Sequence, residues 1–323
     1  MLITDNIKVM YFFSKNLGDN LNNFLLRKMI DRKISFYNIP KKKHIKLGCD
    51  PKVDKYNKVS KIDLIFIGSI LEVLTKNPKA FQIKKKEIIA SKWYFKLYDY
   101  IHPLLIYGAG FISKKNKKES YIRNIKLLAV RGNITLHRFI KNNIKVTNSI
   151  VLADPGILFP FLFDQDKLNK TIKIYDLCII PHYVDLNNKL IKVNIKVHNI
   201  FILNIKETPD KFFDTLLKCK RVLSSSLHGL IFSDSLRIPN MRMVVSDKVI
   251  GGDYKFKDYY SAYGLELPMK IDLRKTVFEE NQLNTIDENY KISDAIIKKK
   301  QCQLLISFPY KLKKEFQYFK NIM

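Results

Sequence analysis

Short β-branched or apolar runs, each ending in a polar turn and giving way to a helical pattern, set the tightest limit on how this chain folds. The runs Ile7 to Phe13, Asp63 to Leu71, Leu104 to Phe111 and Leu127 to Arg131 alternate with helical stretches, as in a parallel, doubly wound sheet. The first run leads through Ser14-Lys15-Asn16-Leu17-Gly18-Asp19 into Leu21, Phe24, Leu25 and Met29 at helical spacing. After a break near Asp154-Pro155-Gly156 the pattern restarts, with strands expected at Asp176 to Pro181, Ile200 to Asn204, Arg221 to Leu223 and Met241 to Val245. Thr208-Pro209-Asp210 marks a helix start, with proline at the first helical position. The tail from Asp294 to Phe319 reads as two helices around Pro309 that cross back to the first lobe. The expectation is an α/β protein of two Rossmann-like lobes with parallel sheets, 1–155 and 156–323. A length of 323 residues suits about two domains.

Lysine and arginine outnumber the acidic residues 58 to 30, a net charge of +28 that favours anionic partners. Only nine of the 58 are arginine, and Asn and Ile are also abundant, so the surface lysines read either as compositional bias or as a functional basic surface. The runs at Lys41 to Lys43, Lys84 to Lys86, Lys114 to Lys118 and Lys298 to Lys300 are scattered. No nucleic-acid-binding signature accompanies them, so nucleic acid is not an expected partner. A peripheral contact with an anionic membrane stays compatible with the charge. No apolar run reaches the roughly 20 residues of a membrane-spanning helix, and the start lacks a signal-peptide pattern. The expected location is therefore the cytoplasm, with the inner face of the cytoplasmic membrane open as a docking surface. Cys49, Cys178, Cys219 and Cys302 form no C-x-x-C pair and are expected as reduced, mostly buried thiols.

In open parallel sheets the site lies beyond the carboxyl ends of the strands. Four clusters hold such places: Asn16 to Asn20, Gly108-Ala109-Gly110, Pro181-His182-Tyr183, and Ser224 to Gly229. The last is the sharpest. Ser224, Ser225 and Ser226 form a turn of hydroxyls, and Leu227, His228 and Gly229 open a helix whose N-terminus attracts anions. The competing reading makes Ser224 or Ser225 a simple cap and His228 a satisfied core histidine. Gly18 lets backbone approach a ligand, and Asp19 is either a hydroxyl-orienting carboxylate or a first-turn complement to the helix dipole. Gly108 and Gly110 lack the third glycine of a dinucleotide fingerprint. Arg131 is either a bidentate anion clamp or an ordinary salt bridge. His182 follows a strand directly and suits a binding or a packed role. No metal-ligand spacing is evident and no resident cofactor is expected.

The ordered series Asn16-x-Gly18-Asp19, Gly68-Ser69-Ile70-Leu71, Gly108-x-Gly110, Arg131-Gly132-x-x-Thr135, Asp154-Pro155, Ile180-Pro181-His182-Tyr183, Ser224-Ser225-x-Leu227-His228-Gly229 with Ile238-Pro239, and Asp258-Tyr259-Tyr260 resembles the polysaccharide pyruvyl transferases. The resemblance implies a GT-B-like fold and a role in exopolysaccharide or capsule synthesis. It also implies phosphoenolpyruvate as co-substrate and a glycan or lipid-linked oligosaccharide as acceptor, with formation of a ketal and release of phosphate. His228 would move the proton, Arg131 would neutralise donor charge, and Asp19 would join them as a catalytic group. Ser224, Ser225, Ser226, Leu227, Gly229, Gly18 and Asn16 would bind the donor; His182, Tyr183, Gly108 and Gly110 would meet the acceptor. Many relatives carry a basic residue before the Leu-His pair where this chain has Ser226, so a lysine or Arg131 must supply that charge here. The rival enzyme is a GT-B-type glycosyltransferase using a nucleotide sugar. The rival from another class is a catalytically silent glycan- or nucleic-acid-binding protein that relies on the basic surface.

Overall fold

A computed structural model describes residues 6–11, 16–38, 62–75, 102–115, 118–121 and 124–322. Six parallel strands form the first sheet: β1 (Asn6–Tyr11), β2 (Lys33–Asn38), β3 (Leu64–Ile65), β4 (Leu104–Tyr107), β5 (Ile125–Val130) and β6 (Val151–Leu152), in the order β2-β1-β3-β4-β5-β6. A second parallel sheet has the order β12-β11-β10-β7-β9. Its strands are β7 (Leu177–Ile180), β9 (Ile200–Ile202), β10 (Val222–Ser224), β11 (Asn240–Val244) and β12 (Lys270–Asp272). A small parallel pair, β8 (Ile195–Lys196) and β13 (Phe278–Glu279), stands beside it. β7 is buried at every position, as a central strand covered on both faces requires.

The helices, numbered here in chain order, are α1 (Leu17–Met29), α2 (Asn133–Lys141), α3 (Gln165–Lys170), α4 (Lys189–Val193), α5 (Pro209–Leu216), α6 (Leu227–Ser235), α7 (Tyr254–Ser261), α8 (Leu283–Asn289), α9 (Asp294–Ser307) and α10 (Lys314–Ile322). α1 is amphipathic: Leu21, Leu25, Leu26 and Met29 are buried at helical spacing while Phe24 points outward. α6 is buried at every residue, because β10, β11, α1 and the connection after β6 pack around it. Pro209 opens α5 as expected, yet the Thr208 side chain makes no capping hydrogen bond.

The connection after β6 is a buried 3₁₀ helix, Pro155–Leu162, packed against α1, α6 and α9. Phe159 stacks on Phe232 there with ring centroids 4.4 Å apart, so the junction between the sheets is itself hydrophobic core. The tail crosses back as the sequence suggests. Phe308 meets Phe66 and Tyr107 of the first sheet edge-on, and the Tyr107 hydroxyl donates to the Leu304 carbonyl. The strand expected over Asp63 to Leu71 is shorter than its apolar run. It stops at Ile65 because Gly68 takes φ +123° and the chain turns into a 3₁₀ helix at Leu71–Leu74.

One expectation is corrected. Cys178 and Cys219 are joined in a disulfide across 41 residues, their Cα atoms 5.7 Å apart. Strand pairing brings them together: Tyr175 bridges Cys219, and β7 lies beside β10, which starts three residues after Cys219. Cys302 is a free thiol. Cys49, the lysine runs at 41–43 and 84–86, and the expected extension of the first strand to Phe13 lie outside the described residues. No helix of the described residues is long and apolar enough to cross a membrane, and among them no group of three or more His, Cys, Asp or Glu could hold a metal ion.

Candidate active site

Because both sheets are parallel, their carboxyl ends deliver Asn16, Arg131 and Asp154 from one side, and His182, the serine turn and Ser246 from the other. The two sets meet where the start of α1 touches the start of α6. The contact is close: a Cβ added at Gly18 would stand 2.0 Å from Cγ and Nδ1 of His228. Only glycine admits the imidazole at that position.

The serine turn divides into fixed and free groups. The Ser224 hydroxyl donates to the Ile180 carbonyl at 2.7 Å and accepts from Ser226 N at 3.0 Å. Ser225 Oγ donates to Asp185 Oδ2 at 2.8 Å and accepts from His182 N at 2.9 Å. Asp185 also accepts from the Ser246 hydroxyl, so one buried carboxylate ties together the loops after β7, β10 and β11. Ser224 and Ser225, expected as donor-binding hydroxyls, thus build the turn itself. Ser226 is different: it is 1 % exposed and its Oγ has no hydrogen-bond partner. Nor, among the described residues, do the backbone N–H groups of Leu227, His228 and Gly229 find partners, since the first helical bond is Leu230 N to Ser226 O. By contrast, α1 is closed at its start. Asn16 Oδ1 accepts from Gly18 N at 3.0 Å, and Leu17 N donates to Ile205 O at 2.8 Å. Of these two helix starts, the one without partners among the described residues is that of α6.

His228 is 9 % exposed, and its ring makes no hydrogen bond to any described residue. Burial, and then the positive charges of Lys255 and Arg131, push its pKa down to about 3. His182 is pushed down to about 3 by burial and by Lys255. Both rings are therefore neutral at pH 7, and an arriving anion shifts them toward the imidazolium. Val184 N donates to His182 Nδ1 at 3.4 Å, which leaves the Nε2 proton to face outward from that turn.

Lys255 of α7 is the charge that acts on both histidines. It is 7 % exposed and makes no hydrogen bond or ion pair among the described residues, although its ammonium lies 5.5 Å from the Phe256 ring. Burial first, then Arg131, lowers its pKa to about 8, against the raising influence of Asp19 and Asp185. No local sequence signal singles out one lysine among so many. Asp185 was also missed, because it lies three residues beyond the strand-end His182.

Arg131 forms an ion pair in the interior. It is fully buried and its guanidinium is surrounded by acceptors: Asp258 Oδ2 at 2.9 Å from Nε and Nη2, the Ser69 hydroxyl, and the Phe111 carbonyl. The Asp258 carboxylate also takes Thr135 N at 2.8 Å and Thr135 Oγ1 at 2.7 Å, and so caps α2 from the second lobe. Gly110 packs against this guanidinium and Gly108 against Pro155. Both glycines, expected to face an acceptor, thus stand against interior atoms of the first lobe's own strand ends. Asp19 is half-buried and acts electrostatically on Lys255 and on Tyr183, whose ring lies tilted against His182 with centroids 4.4 Å apart.

This meeting of an unsatisfied helix start, two neutral histidines and a buried lysine stands in a chain with clear relatives. An uncharacterized protein of Acanthamoeba polyphaga mimivirus is 31% identical over 267 residues, which covers 80% of this chain and 75% of that protein. Among solved structures, a UDP-N-acetylglucosamine 2-epimerase aligns over 93% of this chain and 94% of its own, with 11% identity and a TM-score of 0.45. A functionally uncharacterized Klebsiella pneumoniae protein aligns over 79% and 87%, with 14% identity and a TM-score of 0.37. The family model for polysaccharide pyruvyl transferase matches residues 12–247, from the end of β1 through the serine turn to just beyond Ser246. On that match, and on the motifs it spans, the chain belongs to the polysaccharide pyruvyl transferase family.

Proposed function

We propose that the chain transfers pyruvate from phosphoenolpyruvate to two hydroxyls of a glycan acceptor, with the start of α6 as its donor site. The observation that carries this reading is the set of unmatched groups at one place. Among the described residues, the Leu227, His228 and Gly229 amides and the buried Ser226 hydroxyl have no partners, and the buried Lys255 has no counter-charge bonded to it. Buried polar groups left without partners cost about 1–3 kcal/mol each, so a site with this many is complementary to something absent from the chain. The missing partner must be an acceptor of several hydrogen bonds and negatively charged, which suits a phosphate or carboxylate.

The chemistry follows from the charges. Phosphate binding beside His228 favours its imidazolium, which delivers a proton to the methylene carbon of the donor. The adjacent carbon becomes electron-deficient and is attacked by one acceptor hydroxyl, which loses its proton to the regenerated imidazole. A second hydroxyl then attacks the same carbon, the carbon–oxygen bond to phosphate breaks, and the remaining proton leaves with the phosphate. Lys255 balances the donor's charge throughout. His182, with Nδ1 held by Val184 N, offers its other ring nitrogen to the acceptor side.

Thermal stabilisation by phosphoenolpyruvate, compared with a panel of nucleotides and nucleotide sugars, tests the donor. Stabilisation by phosphoenolpyruvate alone, with phosphate release on a sugar acceptor that His228→Ala abolishes, supports the reading. Stabilisation only by a nucleotide or nucleotide sugar would replace it with glycosyl transfer.

A further inference from the structure

Lys255 and Asp258 stand three residues apart on α7, on the face turned inward. One serves the donor site as read above; the other reaches across to the first lobe. Asp258 gathers four donor groups from that lobe: Arg131 Nε and Nη2, Thr135 N and Thr135 Oγ1, at 2.7–2.9 Å. Ser261, one turn further along α7, repeats the connection by accepting from Asn133 N at 2.8 Å. Backbone approach is equally tight. A Cβ at Gly132 would collide with the Asp258 carbonyl oxygen, which makes glycine obligatory at the base of α2. Hence the end of β5 and the start of α2 form a cradle for α7, and the cradle sets where Lys255 sits. α7 is also held within its own lobe, by Arg242, which leans on the Phe256 ring at 3.9 Å and bonds Asp253 at the helix start, and by Tyr259 Oη, which donates to Asp234 Oδ2 of α6 at 2.8 Å, but neither contact ties α7 to the first lobe.

We propose that Asp258 is a positioning residue: through Arg131 and Thr135 it seats α7 on the first lobe, so that Lys255 is presented to the unsatisfied start of α6. The proposal rests on the donor reading above for its consequence, but the seating is a separate claim. Arg131 on this view shapes the donor site from behind, by anchoring the helix that carries the charge. Lys255 and Asp258 both lie beyond the residues matched by the family model, which end at 247.

The test uses full-length protein labelled with ¹³C at lysine Cε, with the Lys255 resonance assigned as the one missing in Lys255→Met. Asp258→Asn removes the charge that holds Arg131. Thr135→Val is the milder variant, which breaks one of the bonds and serves if Asp258→Asn does not fold. The expected result is that both variants move the Lys255 resonance toward the position of the exposed lysines. The dissociation constant for phosphoenolpyruvate rises about tenfold or more in Asp258→Asn and less in Thr135→Val. In a Lys255→Met background the same changes have no further effect on that constant, because they act through the missing side chain. A Lys255 resonance that stays in place in folded variants overturns the seating, and so do additive losses of affinity. A resonance that moves while Lys255→Met binds phosphoenolpyruvate like the parent upholds the seating and removes the donor reading instead.

Discussion

Gly18→Ala probes the junction of the two lobes with the smallest possible change. The new Cβ would stand 2.0 Å from Cγ and Nδ1 of His228 and 2.6 Å from its Cβ, whereas ordinary contact begins near 3.4 Å. The imidazole, or the whole start of α6, must retreat by roughly 1.4 Å on those distances, a displacement of the size that costs about a hundredfold in rate when a reacting group is misplaced. Stability should change far less. Overpacking costs about 1–3 kcal/mol, while replacing glycine by alanine in a helix returns up to about 1 kcal/mol. The net expectation is a loss of about 0–2 kcal/mol in unfolding free energy, set against a loss of about a hundredfold in phosphate release from phosphoenolpyruvate with an active acceptor. The assay pairs chemical denaturation with initial rates. A further arm places Gly18→Ala in a His228→Gly protein, where the ring and the clashing Cβ are both gone and the second substitution should add almost nothing to the loss of rate. Parental turnover in Gly18→Ala would refute the argument that the imidazole beside Gly18 does the chemistry.

Other consequences follow from buried charge and from the cross-link. Arg131→Ala should lower unfolding free energy by about 3–5 kcal/mol, because it leaves Asp258 charged and uncompensated in the interior; urea denaturation within 1 kcal/mol of the parent would contradict the ion pair. Asp234 is raised to about 7 by burial, against the lowering hydrogen bonds of Asn240 and Tyr259. Since its folded pKa lies above the unfolded value near 4, the folded state holds the extra proton. Its contribution is complete below about pH 4 and is lost as pH rises through 7, at up to about 1.4 kcal/mol per pH unit. Melting temperatures of Asp234→Asn and the parent should therefore diverge in the variant's favour from pH 5 to pH 8, and a constant difference would dismiss the assignment. Reducing Cys178–Cys219 releases a loop of 41 residues and should cost about 4 kcal/mol on the chain-entropy account; a melting temperature indifferent to reductant would count against the bridge.

Local pattern made much of this protein legible from its residues alone. Alternating strand and helix periodicity located β1, β4, β5, β7, β9, β10 and β11 to within a few residues, because a parallel strand covered on both faces must be an apolar run ended by a turn. The same pattern placed His228 at a helix start and His182 at a strand end, and proline marked both the opening of α5 and the gap between α9 and α10. What the pattern could not convey is partnership at a distance. Nothing in the stretch around Ser224 and Ser225 says that their hydroxyls are tied to Ile180 and Asp185, leaving Ser226 as the open one. The sequence likewise offers Arg131 as a clamp or a salt bridge, and only the folding of α7 onto α2 brings Asp258 to it across 127 residues. Lys255 carries no mark among 49 lysines; burial beside His228 distinguishes it, and burial is a property of packing. Periodicity is written in neighbours along the chain, so sequence determined the elements and their ends. The identity of each charge's partner depends on which surfaces meet, and tertiary structure alone decided that.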